Sequence, residues 1–581
     1  MAVSNQSERN VDDYKQPQGN ACTDMTGRIL AALGKSSAQT SFSPASGLLN
    51  GGLLLALPAL YANGLFDSLE TFCFANKYYR IHDIFMVIAF MVLARVENIN
   101  QLNDVPAGEW GRLIGLDRIP DKKTIRQKID ELSHGINDSK LDGWIGTRAE
   151  EWISPKNDGV IGNFYLDGHV RTYFGDEPLP YRYVPRQKLC LRGMTDFWVN
   201  DATGNPFFVV STPFAIGLIA ALKNQIVPQL LKLTPELTEE QIQQNIPRLV
   251  IIFDREGFSM ELFKELWDSH HIACQTYNKY PKEDWPEAEF STFTGETVFG
   301  TITEVKIAER TVYPVKDYQA REVRYLTEDH RQVSIVTGDF RPEAHAVISH
   351  MKARQSQENF FRYGRQEFNI DALASYHKID VDETVEVINP TFRGLEKDIR
   401  SINTKLDRRH RKSSEITLPP DPTNAQQKKY EARQGEITAE IEELQETLKT
   451  KKEQKRVTAK YIQIKDLPED FKFKMLDGGR KKFIDIIKMI CYRSEIAMSN
   501  IIIPELTLYD RDTGRNIIKN IFQTSADIYP DNENKKLRVC LHHTNNAKTD
   551  KIVTSLMNQL NQTETTFPGS QLKLFYEFVS S

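Results

Sequence analysis

The first pattern of hydrophobic and polar residues along the chain is helical. Residues 48–65 form an uncharged apolar stretch, and a second apolar run follows at residues 84–93. The stretch is apolar enough for a membrane span, but Asn50 and Pro58 interrupt it and no basic cluster flanks it, which favours a buried core helix over that alternative. The patterns predict a disordered polar tail over residues 1–44 and a helical N-terminal region over residues 45–150.

Residues 79–134 within this helical region are compatible with a helix-turn-helix. Pro120 begins a turn, and Thr124 is placed to cap a helix that carries Arg126 and Lys128. Such a unit can contact DNA, but short helices joined by a proline-containing turn are also common packing units. Both roles stay open at this point.

Strand patterns begin near residue 159. An apolar strand at residues 160–165 precedes a hairpin, a helix and the continuous apolar run Leu249–Phe253, which is typical of a central buried strand. From about residue 285 to residue 342 short alternating runs rich in Thr, Val, Ile and Tyr predict a β-rich insertion. We therefore predict an α/β domain over residues 159–380 that contains this insertion.

Two highly charged segments follow, and each repeats apolar residues at spacings of four, three and four. These residues are Leu395, Ile399, Ile402 and Leu406, and then Ile437, Ile441, Leu444 and Leu448. A proline-rich turn separates the segments, so we predict an antiparallel coiled-coil hairpin over residues 391–460. Its basic clusters at residues 408–412 and 449–456 could contact phosphates or form a solvated face. Residues 461–581 mix both patterns and predict a C-terminal α+β region.

Composition and charge narrow the class of protein. The formal net charge is −5, so a DNA-binding surface would have to come from local clusters of Lys and Arg. The six cysteines are far apart and lack zinc-site spacing, which is typical of thiols in a reducing compartment. The N-terminus has no secretory signal pattern. We expect a multidomain protein of the cytoplasm that does not span a membrane.

Three carboxylates stand where a metal site would need them. Asp167 ends an apolar strand, where a lone carboxylate is costly to bury, although it could simply cap a turn. Asp254 follows Leu249–Phe253, at the strand end where α/β sheets bind ligands, although Arg255 could pair with it. Glu358 lies in a predicted helix, where an Arg–Glu surface ladder is the alternative. Together they match the oxygen ligands of Mg²⁺, and two such ions can clamp a phosphodiester.

Basic side chains near these carboxylates are candidate DNA contacts. They are Arg354, Arg362 and Arg365 on the helix of Glu358, and Arg186 and Lys188 in a strand segment. The helix presents its arginines on nearly one face, whereas the strand segment could equally be a solvated basic strand. His169 could contact substrate or assist proton transfer, but a lone histidine is more often packed or solvated.

The order strand, hairpin, helix, strand, helix, strand, β insertion, helix resembles the RNase H-like core of insertion-sequence DDE transposases. In related subfamilies the glutamate lies in a signature of Tyr, two residues, Arg, three residues, Glu, six residues and Lys. Arg354 and Glu358 match this signature, Arg365 replaces the lysine, and Met351 stands where the tyrosine is expected. The resemblance covers about residues 159–376.

The resemblance implies metal-dependent cleavage and strand transfer of a mobile element. Asp167, Asp254 and Glu358 would bind two Mg²⁺ or Mn²⁺ ions, and Arg354 and Arg365 would contact phosphates near the cleavage site. The implied partners are element-end DNA, target DNA and a second copy of the chain, in a bacterial-type cytoplasm and on the nucleoid when bound to DNA.

Three points stay open within this resemblance. Glu256, in an Asp-Arg-Glu-Gly-Phe segment that resembles the second motif of the family, is a rival for the third carboxylate. A metal-dependent RNase H-like nuclease without strand transfer would keep the same fold. A catalytically inactive relative that only binds DNA is the alternative from another functional class.

Overall fold

One ten-stranded sheet runs through the centre of this mixed α/β fold. The computed structural model describes residues 23–580 except residues 73, 76, 135–143, 145–147, 149–151, 153–161, 176–178, 185–186, 215, 297–301, 373–377, 419, 421, 477, 507–510 and 545.

The N-terminal region is mainly helical. It contains strand β1 (Ala45–Leu48) and helices α1 (Met25–Ala32), α2 (Leu57–Ala62), α3 (Ile81–Leu93), α4 (Ala107–Leu113) and α5 (Lys122–His134). The Asp24 carboxylate caps α1 by accepting a hydrogen bond from the Gly27 N–H at 2.9 Å, and Arg28 pairs with Asp117 at 2.6 Å. The predicted disordered tail over residues 1–44 is therefore wrong for residues 23–44, while residues 1–22 lie outside the described part.

The uncharged stretch at residues 48–65 lies inside the protein. A 3₁₀ helix, Gly51–Ala56, is buried at every position and leads into α2. The Leu54 carbonyl accepts a hydrogen bond from the Tyr576 hydroxyl at 2.9 Å, which joins the stretch to the C-terminal part of the chain. Among the described helices none is long and apolar enough to cross a membrane.

Helix α5 departs from the helix-turn-helix prediction in its capping and in one of its basic residues. Asp121, rather than Thr124, caps the helix, because its carboxylate accepts the Thr124 N–H at 2.7 Å. Lys128 is buried, and its ammonium donates to the Ala75 carbonyl at 2.9 Å and to Glu131 at 2.6 Å. Lys128 therefore serves internal packing.

The central sheet is built from strands of both directions. Its strands are β2 (Asn163–Tyr173), β3 (Tyr181–Val184), β4 (Leu189–Asn200), β5 (Pro206–Pro213), β6 (Leu249–Phe253), β7 (Ile272–Tyr277), β8 (Ser291–Glu296), β9 (Ile302–Val315), β10 (Tyr318–Leu326) and β11 (Gln332–Thr337). β4 pairs antiparallel with β2, β3 and β5, whereas β2, β6 and β7 are parallel neighbours. β11, β10, β9 and β8 extend the sheet beyond β7 by antiparallel pairing.

Helices cover this sheet and connect its strands. They are α6 (Leu218–Ala221), which continues through a π-helical turn into α7 (Val227–Leu233), then α8 (Glu239–Gln243), α9 (Met260–His270), α10 (Ala344–Lys352) and α11 (Gln355–Phe368). β6 is buried along its whole length, because parallel neighbours lie on both sides and apolar helices pack on the sheet.

Two long antiparallel helices follow, α12 (Pro390–Glu415) and α13 (Asn424–Val457). At their base lie four short strands: β12 (Lys378–Asp380), β13 (Glu386–Ile388), β14 (Tyr461–Gln463) and β15 (Lys474–Leu476). β12 pairs with β15 and β13 pairs with β14, so two small sheets tie the chain entering the hairpin to the chain leaving it.

The C-terminal part packs into the rest of the protein. It contains α14 (Gly479–Ile502), α15 (Arg511–Gln523), β16 (Ala526–Asp531), β17 (Lys536–Leu541), α16 (Ala547–Gln562) and β18 (Lys573–Phe578). β1 pairs with β16 to complete a four-stranded sheet. α14 is buried along most of its length, and its Ser494 hydroxyl donates to the Ala59 carbonyl at 3.1 Å. Residues beyond 461 therefore share a hydrophobic core with the N-terminal region.

Candidate active site

Strands β2 and β6 bring two aspartates together. The strands are parallel, with Leu166 opposite Phe253, so the next residues, Asp167 and Asp254, are neighbours across the sheet. Each carboxylate accepts a hydrogen bond from the following backbone N–H, at 2.8 Å for Asp167 and 2.7 Å for Asp254. Their side chains are 32% and 57% exposed, so both can be reached from solvent.

Helix α11 carries Glu358 over these strands. The preceding residue, Gln357, is buried, and its amide donates to the carbonyl oxygens of Trp198 at 2.9 Å and Tyr165 at 3.3 Å. Phe360 packs on the Trp198 ring, with 5.0 Å between centroids. Glu358 itself is exposed, and within the described residues its carboxylate has no ion-pair or hydrogen-bond partner.

Arg354 lies between the two aspartates. Its Nη2 is 3.9 Å from Asp167 Oδ2 and its Nη1 is 3.9 Å from Asp254 Oδ1, while only 13% of the side chain is exposed. These distances are too long for hydrogen bonds, so the contact is an attraction between charges. The guanidinium offsets the two carboxylates that the sheet places side by side.

The pKa of Asp167 reflects this crowding of charge. Burial raises the pKa, and the negative charges of Asp254 and Glu358 raise it further, while Arg354 and the Gly168 N–H oppose the change. Both other carboxylates therefore act on Asp167, and a bound cation would stabilise its ionised form.

The donor atoms fit a hard divalent cation, although the site is not assembled around one. Asp167, Asp254 and Glu358 offer carboxylate oxygens, the ligands that Mg²⁺ prefers. Across the part of the chain that the structure covers, no three His, Cys, Asp or Glu side chains already form a metal-binding group, and Arg354 occupies the space between the aspartates. Binding of metal would require this guanidinium to shift.

Glu256, the rival third carboxylate, has another partner. Arg182 Nη2 donates to its two carboxylate oxygens at 3.0 and 3.2 Å. The pair is partly exposed, so it contributes little to stability, but it directs Glu256 towards β3. Glu358 is the carboxylate that acts on Asp167.

His169 is a packing residue in this arrangement. It is buried, its ring stacks on Phe361 of α11 with 5.2 Å between centroids, and its Nε2 contacts the Asp371 carboxylate. These contacts tie β2 to α11 and to the loop that follows this helix. The alternative role as a substrate contact has no support from its position.

The predicted DNA-contacting residues lie at different depths. Arg362 is exposed and 3.7 Å from Asp512, and Arg365 donates its Nε–H to the Phe361 carbonyl at 3.2 Å. Lys188 is exposed in the turn between β3 and β4, whereas Arg186 lies outside the described residues. Met351 is buried in a core that includes Tyr165 and Val250, so it cannot present a side chain to DNA.

Sequence reasoning missed Tyr277. This residue ends β7, where the parallel register sets Ile252 opposite Gln275, two positions before Asp254 and Tyr277. Burial raises the pKa of its hydroxyl, with Arg354 opposing and Asp254 adding to the shift. The available signal was an aromatic residue at the end of the strand next to the one that bears Asp254.

Buried charges support the sheet beneath the site. Arg171 makes two hydrogen bonds of 2.9 Å to Asp196 on the neighbouring strand. Burial alone would raise the pKa of Asp196, but Arg171 and Lys481 lower it to about 2. Lys488 of α14 donates to the carbonyl of Asn369, the C-cap of α11, at 3.0 Å. Helix α14 thus fixes the end of the helix that carries Glu358.

Glu495 is a second link between distant regions. It is fully buried on α14, accepts a hydrogen bond from Arg95 at 2.9 Å and contacts the Tyr363 hydroxyl of α11. Arg95 also pairs with Glu367 of α11 at 2.8 Å. The helix that carries Glu358 is therefore held from the N-terminal and the C-terminal parts of the chain.

No curated protein matches the chain. The model of a family described as transposase protein matches residues 19–580. This range includes Asp167, Asp254 and Glu358, the helical hairpin and the C-terminal sheet. Because the match spans nearly the whole sequence, the chain belongs to this transposase protein family.

Proposed function

We propose that the protein is a DDE transposase that cleaves DNA and transfers its strands by phosphoryl transfer, with Asp167, Asp254 and Glu358 as the catalytic carboxylates. The main support is that two parallel neighbouring strands set Asp167 beside Asp254, while the charge of Glu358 acts on Asp167. Membership in the transposase protein family supports DNA as the substrate.

The strand order supports an RNase H-like catalytic core. If the short β3 is left aside, β2, β4, β5, β6 and β7 are the first to fifth strands, and they lie in the order third, second, first, fourth, fifth. The first three strands are antiparallel and the last two run parallel to the first. Asp167 lies on the first strand and Asp254 follows the fourth, as the resemblance predicts.

The three carboxylates would hold two Mg²⁺ or Mn²⁺ ions. When bound, such ions activate the attacking oxygen and stabilise the leaving oxygen of a phosphodiester. The chain supplies the orientation: β2 and the end of β6 hold the two aspartates, and the buried amide of Gln357 fixes the start of the helix that presents Glu358. Positioned groups of this kind lower the barrier by holding reacting atoms in line.

Arg354 has two successive partners in this proposal. Without metal it offsets the charges of Asp167 and Asp254. If the aspartates held a metal ion, the guanidinium would be free to bind a phosphate oxygen of the DNA, for which its planar fork is suited. Arg365 and the exposed Arg362 and Lys188 are further candidate phosphate contacts.

The reaction proposed here includes joining as well as cutting. Hydrolysis and strand transfer differ in whether water or a DNA 3′-hydroxyl attacks the phosphate. We propose element-end and target DNA as substrates and a second copy of the chain as partner, within the bacterial cytoplasm and its nucleoid. Molecular mass by light scattering, with and without element-end DNA, tests the second copy, and a monomer in both cases contradicts it.

A product assay tests the function. Purified protein is incubated with its flanking element-end DNA and Mg²⁺ or Mn²⁺, and denaturing gels separate cut from joined strands for wild type, Asp254→Ala and Glu358→Gln. We expect metal-dependent joined products that both substitutions abolish. Cutting without joining would identify a nuclease instead, and binding without cutting would identify an inactive relative.

A further inference from the structure

The paired helices α12 and α13 form an arm that solvent surrounds. They contain 26 and 34 residues, which at about 1.5 Å per residue gives lengths of roughly 39 and 51 Å. The buried positions are Phe392, Leu395, Ile402 and Leu406 in α12 and Ile437 in α13. Because so few positions are buried, the helices are covered chiefly by each other, and the end farthest from the short strands is a free tip.

Charges are paired along the base and the middle of the arm. Lys455 contacts Glu396 at 2.8 Å, and Lys451 contacts Asp398 at 2.9 Å. Farther out, Arg409 contacts Glu440 at 2.7 Å. These pairs cross from one helix to the other, so charges in this part of the arm serve the contact between the two helices.

The tip, defined as residues 408–433, has a different charge. It contains seven Lys and Arg residues and three Asp and Glu residues, so its net charge is 7 − 3 = +4, whereas the whole chain carries −5. Six of the basic side chains are exposed and have no ion-pair partner among the described residues. They are Arg408, Arg411, Lys412, Lys428, Lys429 and Arg433.

This cluster is unfavourable for the arm by itself. Arg408, Arg411 and Lys412 are spaced three and four residues apart on one face of α12, where like charges repel. A polyanion would relieve that repulsion. Leu418 is the one large hydrophobic side chain of the described tip that is notably exposed, so the surface suits phosphates rather than the apolar interior of a membrane or an apolar protein partner.

We infer that the tip of the arm binds the phosphate backbone of duplex DNA at a distance from the three carboxylates. Duplex DNA presents one negative charge per about 1.7 Å of helix axis, which matches a compact group of exposed basic side chains. An arm of about 39 Å spans roughly eleven base pairs at 3.4 Å each. The inference rests on the proposed function in taking the DNA to be the same molecule that is cut.

Two matched triple variants of the full-length protein test this surface. The tip variant combines Arg408→Gln, Arg411→Gln and Lys412→Gln, and the base variant combines Lys449→Gln, Lys452→Gln and Arg456→Gln. Both remove three charges from exposed positions of the same arm, and glutamine keeps a good helix propensity. Fluorescence anisotropy gives the Kd for a duplex of about 40 base pairs, without divalent metal, between roughly 50 and 200 mM salt.

We expect the tip variant to bind at least about tenfold more weakly at 100 mM salt, with the slope of log Kd against log salt reduced by roughly 2 to 3. The base variant should bind within about twofold of wild type. Equal losses in both variants, or no loss in the tip variant, would overturn the inference. A change of molecular mass confined to the tip variant would assign the surface to a second copy instead.

The cleavage assay separates this inference from the proposed function. The tip variant should cut saturating DNA at the wild-type rate, because it leaves Asp167, Asp254, Glu358 and their contacts unchanged. If wild type binds DNA in a tip-dependent way but never cuts it, the proposed function fails and the role of the tip stands. If wild type cuts DNA and the tip variant binds it normally, the proposed function stands and the role of the tip fails.

Discussion

The side-chain amide of Gln357 donates a hydrogen bond to the backbone carbonyl of Trp198 at 2.9 Å. Trp198 is the residue of β4 that pairs with Asp167 of β2, and Gln357 immediately precedes Glu358. A short path of one strand pairing and one buried hydrogen bond therefore connects the first carboxylate to the third. This path sets the position of the helix relative to β2 and β4.

Loss of the Gln357 amide should lower both the stability of the fold and the rate of DNA cleavage. In Gln357→Leu the carbonyls of Trp198 and Tyr165 lose their buried donor, and we expect the free energy of unfolding to fall by about 1–3 kcal/mol. Displacement of Glu358 should slow DNA cleavage by roughly 10- to 100-fold, while DNA binding without metal is retained. The control is Asn359→Ala, at an exposed position of the same helix; a wild-type cleavage rate in Gln357→Leu would contradict this role.

Two conservative substitutions distinguish the candidates for the third carboxylate. Glu358→Gln should lower the rate of metal-dependent cleavage on the order of 10³-fold or more, since a lost metal ligand removes several kcal/mol of transition-state stabilisation. Glu256→Gln should change the rate only a few-fold, because Glu256 pairs with Arg182 at a partly exposed position. Cleavage rates of both variants are measured on gels at saturating Mg²⁺. A larger loss of rate in Glu256→Gln than in Glu358→Gln would make Glu256 the metal ligand.

Arg354 should compete with metal for the aspartates. In Arg354→Gln the carboxylates of Asp167 and Asp254 lose the positive charge between them, so we expect Mg²⁺ to bind about three- to tenfold more tightly. Titration calorimetry of metal-free protein measures the Kd, with Arg362→Gln as the control on the same helix. DNA cleavage by Arg354→Gln should nevertheless be slower, because the phosphate contact is lost. An unchanged Kd for Mg²⁺ would refute the competition.

Lys488 should make stability depend on pH in the alkaline range. Burial, with Lys481 adding to the effect, lowers the pKa of Lys488 from 10.5 to about 8, against the opposing charges of Asp485 and Asp371. Below pH 8 the lysine is protonated in both states, and its lowered pKa destabilises the folded protein by about 3 kcal/mol. Between pH 8 and 10.5 the unfolded chain binds more protons than the folded one, so stability rises with pH.

Lys488→Met removes this dependence. At pH 7 the variant should be more stable than wild type by up to about 2 kcal/mol, after loss of the hydrogen bond to the Asn369 carbonyl, and the advantage should disappear towards pH 10.5. Urea unfolding at pH 7 and pH 10 measures the difference, with the half-exposed Lys482→Met as the control. An advantage that grows with pH would show that the pKa shift has the opposite sign.

The sequence pattern correctly predicted those elements that are buried because their own side chains are apolar. The run Leu249–Phe253 is a buried strand because all five of its side chains are apolar. In the hairpin the apolar spacing placed Leu395, Ile402 and Leu406 correctly in the contact between helices, but Ile441 and Leu444 are only half-buried. Two helices that only contact each other leave part of their apolar residues exposed to solvent. The spacing of those residues in the sequence does not show which of them stay exposed.

Contacts between residues far apart in the sequence could not be predicted from it. Nothing near Glu495 indicates that its neighbours are Arg95 and Tyr363, and nothing in the β-rich insertion indicates that β11 pairs with β7. Both facts depend on which surfaces meet after folding. The two aspartates could be predicted because each follows an apolar run, although β2 continues past Asp167 to Tyr173 and does not end at this residue as predicted. The arginine between them required the folded arrangement of α11 on the sheet.

The pairing of β1 with β16 also determines when folding can be completed during protein synthesis. The Gly47 N–H donates to the Asp527 carboxylate at 2.7 Å, across 480 residues of sequence. At the usual 5–20 residues per second of protein synthesis, the second partner leaves the ribosome roughly 25 to 95 s after the first. Until then the nascent chain carries β1 without its neighbour and α11 without the α14 contacts that hold it. The packing of α11 is therefore complete only after that interval, and every function that depends on this helix begins with a delay of the same length.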